Sequence, residues 1–134
     1  MQAVDFVRYI LGGFDYKVRL IHVIRGNGET LPKFNHIFSS KEHTKIVKKE
    51  ITAEFDKAKN KLIKSGFKAK EISTEIITRV HSRAMAISDT AKQEDYGTIV
   101  LGRRGHSQVR DFFIGRVTNK VIQMAREQTV WVIR

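Results

Sequence analysis

At 134 residues, with one proline and no cysteine, the chain has the length of about one ordinary domain and can bury a real core. The lack of thiols excludes disulfides, thiol chemistry and thiolate metal sites and fits a reducing cytoplasm, the expected location; no apolar run reaches the ~18–20 residues that span a bilayer, and the first ten residues lack the basic and apolar regions of a secretory signal. A formal net charge of +11 favours contact with polyanions and says nothing about fold.

In chain order, residues 2–11 read as a helix with Val4, Val7, Ile10 and Leu11 on one side and the pair Gly12–Gly13 ending it. The run KVRLIHVI (17–24) is rich in β-formers and bounded by turn residues, hence a strand. A polar loop from Gly26 to about Ser40 follows, and SSKE (39–42) opens a long helix with a capping-box-like spacing. Within that helix Val47, Ile51, Phe55, Ala58 and Leu62 recur at steps of three and four, one buried face, and Gly66 stops it. Residues 41–70 hold ten lysines against four acidic residues, so the lysines fall mostly on the wet side. That distribution reads first as a solvated face and second as a surface for nucleic acid.

EISTEIITRV (71–80) is a β-branched strand, 83–95 a helix, TIVL (98–101) a short apolar strand, 116–127 a helix and TVWVIR (129–134) a last strand. Helix and strand alternate throughout. The chain therefore reads as a single α/β domain over 1–134, an open parallel sheet flanked by helices. In such folds ligands sit at the carboxyl ends of strands.

One segment lies at that position. GRRGHSQVRDFFIGRVTN (Gly102–Asn119) joins the strand TIVL to a helix through three glycines and four arginines. Helix N-termini leave N–H groups unpaired and carry positive partial charge, and glycines let a loop fold back so that its own N–H groups converge. The ligand this suits is phosphate. The segment is neither a Walker A loop nor G-x-G-x-x-G. It is not a nucleophile elbow, because Val109 replaces the second glycine.

Gly102, Gly105 and Gly115 form the pattern G-x2-G-x9-G, and with RLIHVI, YGTIVLGRRG, GRVTNKVI and TVWVIR the chain resembles the universal stress protein family over essentially its whole length. The resemblance implies a Rossmann-like domain, a homodimer, ATP binding and a regulatory role in stress response, with no established general chemistry. Carried over by position, adenine contact falls on Val23, and the phosphate and ribose neighbourhood on Leu101, Gly102, Gly105, Gly115, Arg116, Val117 and Thr118. ATP, with magnesium, is the implied cofactor.

Two departures stand out. Arg116 occupies the place of a small hydroxyl residue; a guanidinium there can pair with phosphate or fill the space phosphate needs. The family's first, central strand, which ends in an acidic residue, has no counterpart, since Met1 already lies in what resembles the first helix and Asp5 is no substitute. Two neighbours deprived of that strand would leave buried backbone groups unpaired at about 1–3 kcal/mol each. Residues upstream of Met1, or another segment, are expected to supply it.

Five histidines (22, 36, 43, 81 and 106) show no metal spacing. His22 and His81 lie near strand ends, His106 and Asp111 lie in the glycine loop, and Phe112–Phe113 read as packing for that loop. The terminal strand, apolar on both faces and without proline, is expected to pair with its own copy in a homodimer centred on Trp131 or Val132. Two other function classes compete with a nucleotide-binding regulator. GRRG as a nucleic-acid clamp of the KH kind expects a helix before it and an apolar residue where Gln108 stands. An ATP-hydrolysing enzyme lacks a convincing catalytic base. Nucleic acid and membrane are not the expected partners, and a family member that has lost nucleotide binding is the remaining alternative.

Overall fold

Apolar spacing sets the helices, and glycine or its substitute ends them. The computed structural model describes residues 1–25, 40–102 and 114–133. Helix α1 (Gln2–Leu11) buries Val7, with Val4 and Leu11 packed beside it, whereas Ile10 is 43% exposed. Leu11, four residues on from Val7, takes the inward position that Ile10 was expected to share.

Strand β1 (Val18–Arg25) leads to helix α2 (Ser40–Lys64), in which Ile51, Ala58 and Leu62 are buried and Val47 and Phe55 half-buried. Lys45, Lys48, Lys49, Lys57 and Lys64 on the same helix are exposed, so its charge is on the wet side. The proposed cap at Ser39 lies outside the described residues.

Helix α2 ends through two backbone bonds, Gly66 N–H to the Ile63 carbonyl at 3.0 Å and Phe67 N–H to the Leu62 carbonyl at 3.2 Å. Gly66 takes φ +101°, a left-handed conformation that glycine adopts without penalty. The end of α1 lies against this turn. A Cβ on Gly12 would stand 2.6 Å from the carbonyl oxygens of both Arg8 and Ser65, so only glycine fits there.

A 3-10 turn (Ala69–Glu71), not anticipated, leads into β2 (Ile72–Val80). Helix α3 (Arg83–Gln93) starts on the Ser82 side chain, which accepts from Met85 N–H at 3.3 Å. Strand β3 (Thr98–Gly102), helix α4 (Arg116–Met124) and strand β4 (Thr129–Ile133) complete the order. Helix α4 stops at Met124, short of the expected 127. The chain must turn there so that Thr129 N–H can reach the Gly97 carbonyl at 2.9 Å and start the last strand in register.

The strands run parallel, as the alternation of elements required, but in two ladders. β1 pairs with β2 from Val18↔Ile72 to Val23↔Ile77, and β3 pairs with β4 from Thr98↔Thr129 to Gly102↔Ile133. After Val23 the first ladder is bulged, since Arg25 faces Val80, which sets Thr78 and Arg79 opposite Ile24; Arg79 has φ +61°. Among the described residues no ladder joins β1 to β3. Among the described residues no strand lies between the two ladders, in line with the expected lack of the central strand, and the parallel strands form two two-stranded sheets.

Helices cover the two faces. Val7, Leu62, Phe67 and Ile72 form one core, joined by Val18, Leu20 and Val100. Ala84, Ala91, Ile99 and Val121 form the other, joined by Ile87, Leu101, Val117 and Val130. Val100 points to the α1–α2 side while its neighbours Ile99 and Leu101 point to the α3–α4 side, the alternation a strand imposes.

Candidate functional site

The end of β3 and the start of α4 meet through one side chain. Thr118 is only 5% exposed, and its hydroxyl donates to the Gly102 carbonyl at 3.0 Å. Gly102 is the last residue of β3, opposite Ile133. The bond holds the first turn of α4 over the carboxyl end of the strand.

Gly115 is the N-cap of α4 and offers no side chain to the helix. Its carbonyl accepts the first helical bond, from Asn119 N–H at 2.9 Å. The amides ahead of Asn119 therefore have no side-chain cap from within the helix, and the first turn holds no acidic residue. That is an electropositive backbone end. Arg116, the first helical residue, is exposed, whereas Val117 is half-buried in the α3–α4 core.

Of the expected site residues, Gly102, Gly115, Arg116, Val117 and Thr118 are thus gathered at one junction. Leu101 precedes it in β3 and packs on the α3–α4 core. Val23 is on the other ladder, at its last regular pair with Ile77 before the bulge. Gly105, His106, Asp111, Phe112 and Phe113 lie outside the described residues.

Three side chains have tasks that the sequence did not reveal. Arg19 hydrogen-bonds Ser73 at 3.3 Å and Glu75 at 3.0 Å on β2, and Glu94 at 3.0 Å beyond α3, while its guanidinium stands 6.0 Å from the centre of the Tyr96 ring. It ties the start of one half to the start of the other. Asp5 accepts from Lys61 at 2.9 Å and pairs with Arg8 at 3.2 Å. The Lys61 hydrogen bond, above all, holds its carboxyl below the usual range. Asp5 is thus occupied in joining α1 to α2. Trp131, expected near a subunit contact, packs edge-on against Phe6 of α1, ring centres 5.6 Å apart. No pattern of spacing signals the Arg19, Asp5–Lys61 or Phe6–Trp131 contacts, because each joins residues far apart in sequence.

His22 lies on β1, where partial burial first and the Arg83 charge second hold its imidazole below the ordinary value; His81 is exposed. Among the described residues no group of three or more His, Cys, Asp or Glu side chains is placed to hold a metal ion, and no helix is long and apolar enough to cross a membrane.

A family model described as the Universal stress protein family matches residues 1–134. The chain is similar in fold to the structure of hypothetical protein MJ0577, reported for the structure-based assignment of its biochemical function, with 22% identity and a TM-score of 0.76 over 98% of this chain and 84% of that one. It is also similar to hypothetical protein PH0823, with 19% identity and a TM-score of 0.67 over 98% of this chain and 85% of that one. A universal stress protein from Archaeoglobus fulgidus has 23% identity and a TM-score of 0.63 over 99% of this chain and 87% of that one. A search of curated proteins found no match. At these identities the three structures speak for the fold alone.

Proposed function

The chain belongs to the universal stress protein family, and on that premise we propose that it is a regulatory domain that binds ATP at the β3–α4 junction. The observation that carries the reading is the uncapped start of α4 held over the end of β3 by the Thr118–Gly102 bond. An anion seated there meets backbone N–H donors and the positive end of the helix. Gly115 leaves the approach without a side chain. Arg116, exposed beside it, is placed to pair with phosphate oxygens. Val23, Leu101 and Gly105 complete the expected contacts, with magnesium neutralising the phosphates.

The same reading makes the protein cytoplasmic and a homodimer through the outer edge of β4. Among the described residues β4 pairs only with β3. Since Trp131 is engaged with Phe6, the centre of that contact falls on Val132. Light scattering that finds a monomer at micromolar concentration would remove the dimer.

Calorimetric titration of Mg-ATP tests the site. Binding at ~100 times the dissociation constant stabilises the fold by about 2.7 kcal/mol, visible as a raised melting temperature. Arg116→Ser should weaken that binding; tighter binding would mean that the arginine occupies phosphate space. No response to ATP, with tight RNA binding that falls steeply with salt, would transfer the function to the exposed lysines of α2.

A further inference from the structure

The ends of α1 and α2 form one continuous surface. Gly12 lies against Ser65 and Gly66 against Gly13, and the ion pairs Asp5–Lys61 and Asp15–Lys68 tie the two segments together on either side of that contact. Both helices end beside the amino ends of strands, since Gly12–Gly13 leads to β1 and Gly66 leads to β2. The β3–α4 junction is at the opposite, carboxyl end of the strands.

Two kinds of side chain mark this surface. From Lys57 to Lys70 the chain holds six lysines and no acidic residue. Lys57, Lys61 and Lys68 pair with Glu54, Asp5 and Asp15, whereas Lys64 and Lys70 are exposed with no acidic partner among the described residues. The dipole of α2 accounts for cations in its last turn, Lys61 and Lys64, but not for Lys68 and Lys70, which follow the helix. Beside these lysines stand two aromatic rings in water, Tyr9 at 85% exposed and Phe14 at 60%, more than any other large apolar side chain described. Phe14 is held in place by its N–H bond to the Leu11 carbonyl at 3.2 Å and by the Tyr16 ring, 6.0 Å away and tilted by 50°. Neither Tyr9 nor Phe14 lines the cleft between the two ladders, so a strand seated there does not cover them.

We propose that this surface binds single-stranded nucleic acid, with Tyr9 and Phe14 stacking on bases and the lysines of 57–70 following the phosphates. Charge names the partner's sign, and the rings name its kind. A run of lysines without acids attracts a polyanion, and every base offers a π-face to an exposed ring. Rings that project from a helix and a turn reach bases that are splayed out, not bases stacked inside a duplex. A lipid surface would call for a continuous apolar face instead. Here Arg8 precedes Tyr9, and Asp15 and Lys17 follow Phe14, so each ring stands among charges. GRRG takes no part in this surface.

The proposal does not depend on ATP binding. Its probe is a fluorescein-labelled oligouridylate of about twelve nucleotides, followed by fluorescence anisotropy. Tyr9→Ala and Phe14→Ala should each weaken binding by roughly tenfold at an unchanged melting temperature, and Tyr9→Phe should bind as the parent does. Lys64→Gln and Lys70→Gln should each lower the slope of log affinity against log salt by about 0.7. A duplex of the same length should bind at least tenfold more weakly, and saturating Mg-ATP should leave the affinity unchanged. Alanine variants that bind as tightly as the parent would reduce the effect to diffuse charge and overturn the proposal. So would equal binding of the duplex, or no binding at all. Displacement by Mg-ATP would put the RNA at the β3–α4 junction and equally overturn it. Capture by vesicles of phosphatidylcholine and phosphatidylserine in equal parts, lost in the alanine variants and without RNA binding, would make a membrane the partner instead.

Discussion

The two halves of the molecule are built from the same pieces, a parallel pair of strands with helices against it, yet with different side chains. The β1–β2 half rests on large residues, Val7, Leu62, Phe67 and Ile72. The β3–β4 half rests on Ile99 and Val121 together with the small residues Ala84 and Ala91 of α3. Large residues remove more apolar surface from water and contribute more stability for each one buried. Small residues let backbones approach, and Ala84 and Ala91 lie on α3, which packs against α4. One half is a clamp, and the other is a platform that carries the β3–α4 junction.

Core truncation breaks the comparison most directly. Leu62 and Val121 are both 0% exposed. Leu62→Ala should cost about 2–5 kcal/mol and Val121→Ala about 1–3 kcal/mol, measured by chemical denaturation. Because α1 also packs on β3 and β4, and α3 on β1, both variants should unfold in one transition. Two separate transitions would show that the halves are independent.

The next effect concerns the platform alone. Thr118→Val removes the donor to the Gly102 carbonyl and should cost about 1–3 kcal/mol, because that acceptor is then left at the end of its strand without its partner. Thr90 makes a similar bond, to the Ala86 carbonyl at 2.8 Å, but within α3. Thr90→Val should cost well under about 1 kcal/mol, since a helical back-bond of this kind adds little. Equal costs for the two would mean that the junction is held by packing rather than by the hydroxyl.

These contrasts mark what the sequence could and could not disclose. Helices and strands were legible because each is a local pattern: steps of three and four in α2, a short apolar run in β3, Gly66 at a helix end. The glycine junction was legible for the same reason, since Gly102, Gly115 and Thr118 sit at fixed offsets from a strand and a helix. Arg19 was not legible. Its partners at 73, 75 and 94 are brought to it only by the parallel pairing and the turn after α3. The bulge at Thr78–Arg79 and the 3-10 turn at 69–71 likewise depend on register, which composition does not encode. Trp131 read as an interface residue because both faces of its strand are apolar; α1 covers one of them.

The smallest effect sharpens the comparison at two helix ends. α2 and α3 stop through the same pair of bonds, with Asp95 N–H to Lys92 at 3.3 Å and Tyr96 N–H to Ala91 at 2.8 Å in α3. The left-handed residue is Gly66 in one half and Asp95, φ +57°, in the other. Asp95→Gly should therefore stabilise by about 0.5–1 kcal/mol, relieving both the side-chain crowding and an acidic charge at a helix C-terminus. A calorimetric scan should show a small rise in melting temperature; a fall would mean that the carboxylate makes a compensating contact.

The contact at Gly12 has a consequence for how the sequence can drift. A side chain there would meet two backbone oxygens at 2.6 Å, and neither α1 nor α2 can yield without opening the core beneath them. Gly97, before β3, has nothing within 4 Å of the position a Cβ would take. Two glycines that look alike in the sequence thus belong to different histories. Position 97 is open to replacement by ordinary mutation, whereas position 12 is closed for as long as α1 and α2 cross where they do.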